Sequence, residues 1–434
     1  MNAPIGSTDH ESIREAIRDT DQAGPVSNRS PTNEPSDCAY TEELLASLEW
    51  AQSREYAGYD YADGMSSRLL TRLPIDNRWV NLVVQESAKR APVNIRPVLQ
   101  IPKRRSFKGC ALFAGAELSA YELTGETVHL ERAIALASWL WKSRRMDPIG
   151  WGHNHDLQWP DGKIPRNTPN IVSTTYVARV LLELAPWLDA AVVETVIEEV
   201  PVLIRDQLLI ETSDGPRLRY DPLQTGDYFV LNVNALAGAL LVEIADATDD
   251  SALRDLGTSL LDYVAAKQAP NGGWMYTDPP SYSHLSMDNH HNGFILESFL
   301  RYEAVTGNDR FSDVLDQGLS FYRTVLFNPD GSPNWDESNQ YPRDSHAAAQ
   351  GILTFTYAND RPFAEQILEW TLDELSGNEG RFYYRKGRLW TKRFTLMRWS
   401  QAWMTFAIGQ YCCSSDVPWR PTMIEHPQTG WNRH

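Results

Sequence analysis

A repeated helical unit constrains this 434-residue chain more than any other feature. The unit begins with an apolar helix rich in Ala, Gly and Ser. A short polar break, an amphipathic helix and a Gly/Pro/Asp turn ending in an aromatic follow. One copy runs GCALFAGAELSAYELTGE, HLERAIALASWLWKSRR and DPIGWG to Trp151. A second runs VNALAGALLVEIADATDD, SALRDLGTSLLDYVAAKQ and APNGGW to Trp274. A third runs NGFILESFLRYEAVTGND, FSDVLDQGLSFYRTVLF and NPDGSPNW to Trp335. Weaker copies start near Val172 and at His346. Self-similarity on this scale means one supersecondary unit stacked on its neighbours.

Helices that are apolar nearly all round must be buried by neighbours. The second helices instead carry apolar residues at i, i+3, i+4, as in Leu253, Leu256, Leu260, Leu261 and Val264, with Arg254, Asp255 and Asp262 between them. Inner helices begin near 109, 172, 233, 291, 346 and 400, with outer ones between them, and a helix within 42–90 can supply a sixth outer element. The pattern predicts an all-α fold, an (α/α)6 toroid over 41–415. A flexible lead-in over 1–40, with a short helix around Glu11–Arg18, and an irregular Pro-containing tail over 416–434 flank it. An open helical solenoid is the alternative.

Inner helices that point one way gather the segments before them at one mouth, and those segments are rich in chemistry-bearing residues. Residues 150–170 hold His153, His155, Asp156 and Trp159, with Asp156 a candidate acid or base. Residues 220–236 hold Tyr228 as a candidate catalytic group and Asn234 as a sugar ligand or helix cap. Residues 283–294 hold Asp288, His290 and His291, and residues 334–351 hold Trp335, Arg343, Asp344 and His346. The stretch 383–403 concentrates cations, with Arg398 and Trp399 at its end, and suits an anionic sugar such as a hexuronate. Asp60 and Asp63 form a carboxylate pair for sugar hydroxyls. Asp156 with Asp288 or Asp344 can supply the two carboxyls of a glycosidase, whereas Tyr228, His291 and His346 suit proton abstraction α to a carboxylate.

Fifteen Trp fit stacking on saccharide faces. A net charge of −17 argues against nucleic acid and anionic membrane as partners. Eight Lys against 32 Arg, with the acid excess, resembles proteins of salt-loving organisms. No run approaches 18 apolar residues, so no membrane span is expected. Cys38, Cys110, Cys412 and Cys413 form no CxxC pair, so neither a zinc site nor a disulfide framework is expected, and a reducing cytoplasm is the default. Adjacent His290 and His291 should diverge, which leaves no metal and no cofactor expected. No GxGxxG, GxxxxGK[ST] or GxSxG motif occurs.

Together GYDYADGMSS, WGHNHDLQW, TPNIVSTTYVA, LNVNALAGALL, MDNHHNGFILES and RDSHAAAQG, spread over roughly 55–410, resemble a family of (α/α)6-toroid proteins encoded among surface-polysaccharide and archaeal N-glycosylation genes. The resemblance implies a fold shared with glycoside hydrolases, uronyl hydrolases and sugar epimerases. It also implies a role in handling a hexuronic-acid-containing oligosaccharide or lipid-linked glycan. Asp156, Trp159, Asp288, His291 and His346 match its motifs. His155 replaces an aromatic or Pro and Asn292 replaces Thr, which leaves hydrolase and epimerase both open. A non-catalytic glycan-binding protein and a terpenoid-cyclase relative, the latter from the single QxxxGxW run Gln268–Trp274, are the rival readings.

Overall fold

The computed structural model describes residues 38–72, 77–159, 162–414 and 419. Nearly all of the expected lead-in, including Glu11–Arg18, and all of the expected tail except Trp419 lie outside the described residues. Helix α1 (Thr41–Gln52) comes first, followed by α2 (Arg68–Arg72) and α3 (Arg78–Arg90). Five inner–outer hairpins follow: α4 (Phe107–Thr124) with α5 (Thr127–Lys142), α6 (Ile171–Glu183) with α7 (Ala190–Val202), α8 (Leu231–Thr248) with α9 (Ser251–Ala266), α10 (Asn289–Thr306) with α11 (Ser312–Val325), and α12 (Ser345–Tyr357) with α13 (Arg361–Leu375). A last inner helix, α14 (Trp403–Cys413), is preceded by a wider π-helical turn over Met397–Ala402.

The inner helices pack in chain order, and α14 returns to α4, so the ring is closed. Helix α1 lies against α14 and α4 and takes the sixth outer place through Leu44, Leu48 and Ala51. The fold is therefore the expected (α/α)6 toroid. One expectation needs correction: Cys38 and Cys412 form a disulfide, Cα–Cα 5.5 Å, which joins the two ends of the ring. Residues 374 apart come together only because the toroid closes, and no local spacing signals that.

The repeat has a physical reason at each step. Burial is unbroken from Phe107 to Ala120 and from Leu231 to Ala245, as helices apolar on every side require. Leu231–Thr248 has the length and mean hydropathy (1.2) of a membrane span, yet 83% of it is buried within the ring. Gly238 and Gly257 let α8 and α9 touch: a Cβ on Gly238 would lie 2.8 Å from the Gly257 carbonyl oxygen. Gly125, Asp249 and Gly307 end α4, α8 and α10 in the left-handed conformation, which forms the polar break.

The terminal aromatics are explained too. The indoles of Trp151 and Trp274 donate to Leu140 O (2.9 Å) and Val264 O (2.8 Å), carbonyls in the last turns of α5 and α9. The backbone of each turn is then clasped by the fourth residue of the next inner helix. Thr174 Oγ1 bonds Trp151 N and O. Asn234 accepts from Leu218 N (2.9 Å) and donates to Leu218 O and Val230 O. Asn292 accepts from Trp274 N (2.8 Å) and donates to Trp274 O and Asp288 O. Asn234, read from sequence as a sugar ligand or cap, is fully buried and has its amide occupied by backbone. Gln268 of the QxxxGxW run donates to Gly272 O and Val314 O, so that run is a turn tie.

The C-terminal halves of the inner helices close the barrel opposite the mouth. Arg179 makes a two-pronged bond to Glu243, Arg301 bonds Glu297 at 2.9 Å, and all four are buried. Trp419 stacks on Tyr357 (3.8 Å) and covers Arg301. The cavity therefore opens at one end.

Candidate active site

The mouth is organised by helix caps that carry imidazoles. Asp288 is the N-cap of α10, and Asp344 caps α12 by accepting from His346 N at 2.8 Å. A cap places a carboxylate at the start of an inner helix, and the following residues turn their side chains into the bowl. Asp288 receives the Nδ1 atoms of both His290 (3.1 Å) and His291 (2.8 Å). The expected divergence of these two histidines does not occur, because both rings fold back onto the cap residue; their centroids are 4.0 Å apart. His346 continues the cluster 4.7 Å from His290, stacked on Trp403 and edge-on to Trp399.

The hydrogen bonding assigns proton positions. With Nδ1–H directed at Asp288, His291 presents Nε2 as an acceptor. His346 is 1% exposed, and neither ring nitrogen has a partner among the described residues. Burial, then the neighbouring Lys108 and Arg398 charges, hold its pKa well below the usual imidazole range. Burial and His291 do the same to His290, and burial brings His155 down to about 4. His155, His290 and His346 are therefore neutral at pH 7.

Asp288, His290 and His291 also have donor atoms within 4.8 Å of one another, a grouping that can hold a divalent cation.

The opposite wall is cationic. Asp60 is held by Arg398, whose Nε reaches both carboxylate oxygens (2.9 and 2.8 Å) and whose Nη2 lies 2.6 Å from Oδ1. Burial alone would raise the Asp60 pKa, but Arg398 and His155 hold it below the usual carboxylate range. Asp63 stands behind, paired with the fully buried Arg96 (2.7 Å) and accepting from Asp60 N (2.9 Å); burial brings it up to about 6 despite Arg96. Trp399 donates to Asp344 (2.8 Å) and stacks on Tyr61 (4.0 Å). Arg385 pairs with Asp344 and covers Trp335 at 4.6 Å.

The structure thus brings together Asp60, His155, Asp288, His291, His346, Arg398 and Trp399, with Asp63 behind and Trp335 at the Arg385 edge. Asp156 is not among them: its carboxylate turns to Lys163 (3.1 Å) and Arg166 N (2.8 Å) and organises the rim turn. Arg343 points outward toward Asp330 and Trp370. Trp159 and Tyr228 line a separate rim cavity with Lys163, Tyr220, Asp221 and Gln224. An aromatic path joins it to the bowl, from His291 to Tyr276 (4.5 Å), His284 (5.4 Å) and Trp159 (6.5 Å).

Sequence reasoning passed over Lys108, in the first turn of α4, and Trp403. Lys108 is buried, and burial and Arg398 hold its pKa well below the usual ammonium range. The available signal was one of eight lysines standing at the start of a mostly apolar inner helix.

No family model and no curated protein matches this chain. Solved structures do resemble it. Cellobiose 2-epimerase from Bacillus thermoamylovorans matches with TM-score 0.60 at 12% identity, over 87% of this chain and 98% of that one. An unsaturated glucuronyl hydrolase from Bacillus sp. GL1 gives 0.58 at 12%, over 90% and 99%. A family 76 glycoside hydrolase (mannosidase) from Bacteroides thetaiotaomicron gives 0.57 at 11%, over 86% and 98%. The class these likenesses define is the (α/α)6 toroid, and at such identity they define the fold alone.

Proposed function

We propose that this protein is a carbohydrate-active enzyme that isomerises a hexuronic-acid residue of an oligosaccharide or lipid-linked glycan by imidazole acid–base chemistry. The observation that carries the reading is the pairing of His291, oriented by Asp288, with His346, whose two nitrogens lack partners among the described residues. One imidazole takes the proton α to the carboxylate and becomes imidazolium, and the other, after picking up a proton from solvent, delivers it to the same carbon from the opposite face, so the sugar changes configuration without changing mass. Asp288 acts as a positioning residue. The three neighbours, an epimerase, an unsaturated glucuronyl hydrolase and a mannosidase, favour sugar processing as the general activity.

Two-carboxylate hydrolysis has less support, because the mouth carboxylates are engaged. Asp60 is paired with Arg398, Asp288 with two histidines and Asp344 with Arg385, while Asp156 faces the rim. A role in surface-glycan or N-glycan assembly rests on the sequence resemblance. A cytoplasmic site of action is compatible with this chemistry, whereas the Cys38–Cys412 bond favours an oxidising compartment. A free-thiol count on protein from intact cells decides between them.

The test is incubation with uronate-containing oligosaccharides in D2O and, separately, in H2(18)O. Deuterium uptake at the α carbon with the chain intact, lost in His291→Asn and His346→Asn, is the expected result. Incorporation of 18O with shortening of the glycan would overturn isomerisation, and neither label with retained binding would identify a glycan-binding protein.

A further inference from the structure

Lys108 is held where elementary electrostatics disfavours a cation. It is 6% exposed and lies in the first turn of α4, at the positive end of the helix dipole. Its neighbour Gly109 touches Arg398, since a Cβ there would lie 3.3 Å from Arg398 Cβ. The carboxylate nearest to both, Asp60, is spent on Arg398 through three close contacts. Two ring faces lie beside the Lys108 ammonium, Trp403 at 5.6 Å and Phe294 at 6.0 Å. The same two rings flank His346, at 4.5 and 5.7 Å, so Lys108 and the unpartnered imidazole border one space. A buried ammonium whose nearest carboxylate is already paired with another cation is costly, and an anion that enters this space relieves that cost.

We propose that Lys108 is the specificity-determining residue of the bowl and receives the carboxylate of the sugar whose ring lies beside His346. The inference rests on the acidic-sugar reading above and moves anion recognition from Arg398, where the sequence put it, to Lys108. Arg398 then serves to hold Asp60. A carboxylate on Lys108 also draws electrons from the adjacent carbon, which makes its proton easier for an imidazole to remove. Charge-assisted bonds in a dry site carry discrimination of about 10–100-fold.

The experiment is calorimetric binding of methyl glucuronoside and methyl galacturonoside against the corresponding neutral glycosides and their 6-phosphates. It uses the whole protein, Lys108→Met, Lys108→Arg and His346→Asn. The wild type should prefer uronosides by about tenfold or more. Lys108→Met should bind acidic and neutral sugars alike, Lys108→Arg should keep part of the preference, and His346→Asn should keep the preference without turnover. Retained binding of the neutral glycoside and an unchanged melting profile show that Lys108→Met is folded. If it is not, the loss of preference is read from Lys108→Gln. Undiminished preference in the Met or Gln variant overturns the role of Lys108 and leaves the acidic-sugar reading standing. No preference in the wild type overturns both, and tighter binding of the 6-phosphates than of the uronosides overturns the choice of carboxylate.

Discussion

Replacing Asp60 by Asn removes the single negative charge that Arg398 meets, and leaves two buried cations, Arg398 and Lys108, side by side (4% and 6% exposed). Breaking one partner out of a buried ion pair costs about 3–5 kcal/mol. An unfolding entropy of about 2 cal/mol/K per residue amounts to roughly 0.9 kcal/mol/K for a chain of this length, so the melting temperature should fall by about 3–5 °C. Differential scanning calorimetry reads this directly. The double variant Asp60→Leu/Arg398→Met replaces the pair with apolar groups and should recover most of the loss. The Asp60 pKa is depressed from its ordinary 3.8, so its stabilising effect is complete above that value and lost only as pH falls through the depressed one. The gap between wild type and Asp60→Asn should therefore be the same at pH 7 and pH 5. A shift below about 1 °C, or strictly additive losses in the double variant, would refute the reasoning.

Three further outcomes are expected. His155, His290 and His346 have depressed pKa values, so the unfolded chain binds protons that the fold refuses, and stability drops as pH falls below about 6.5. His153, depressed by burial, adds to that loss, while Asp63, up at about 6, and Glu183, up at about 7, act in the opposite direction; four histidines outweigh two carboxyls, so urea titrations near pH 5.5 should show a net loss of stability as pH falls. Asn292→Ala strips the clasp from Trp274 and Asp288, and should cost about 2–4 kcal/mol and reduce turnover, whereas Asn234→Ala should cost similar stability with turnover per folded molecule unchanged. Cys38→Ser should lower stability by up to about 5 kcal/mol under oxidising conditions and leave the reduced protein unaffected; equal melting of both forms would show that the bond does not form in solution.

The ring was legible because every hairpin states the same pattern, and the inner starts read from the sequence fall within a few residues of 107, 171, 231, 289, 345 and 397. The site was legible in part, for the reason that caps and imidazoles are neighbours in sequence: Asp288 and His291, or Asp344 and His346, sit within one helical turn. What could not be read was the direction of a side chain in an irregular loop. Asp156 lies one residue from the buried His155, yet Lys163 and the Arg166 amide capture it on the rim. Arg398 was found, but its engagement by Asp60 joins residues 338 apart. Asn234 looks like a free amide until the Leu218 backbone arrives beside it.

The seating of α1 between α14 and α4 has a consequence for synthesis. Helix α1 must wait for α14, about 350 residues later, and ribosomes add roughly 5–20 residues per second. For tens of seconds the greasy side of α1, with Leu44, Leu48 and Ala51, has no final resting place, and the nascent toroid stays an open horseshoe. Only once α14 has been made can the circle shut, so a helix synthesised before every hairpin is among the last to be locked in.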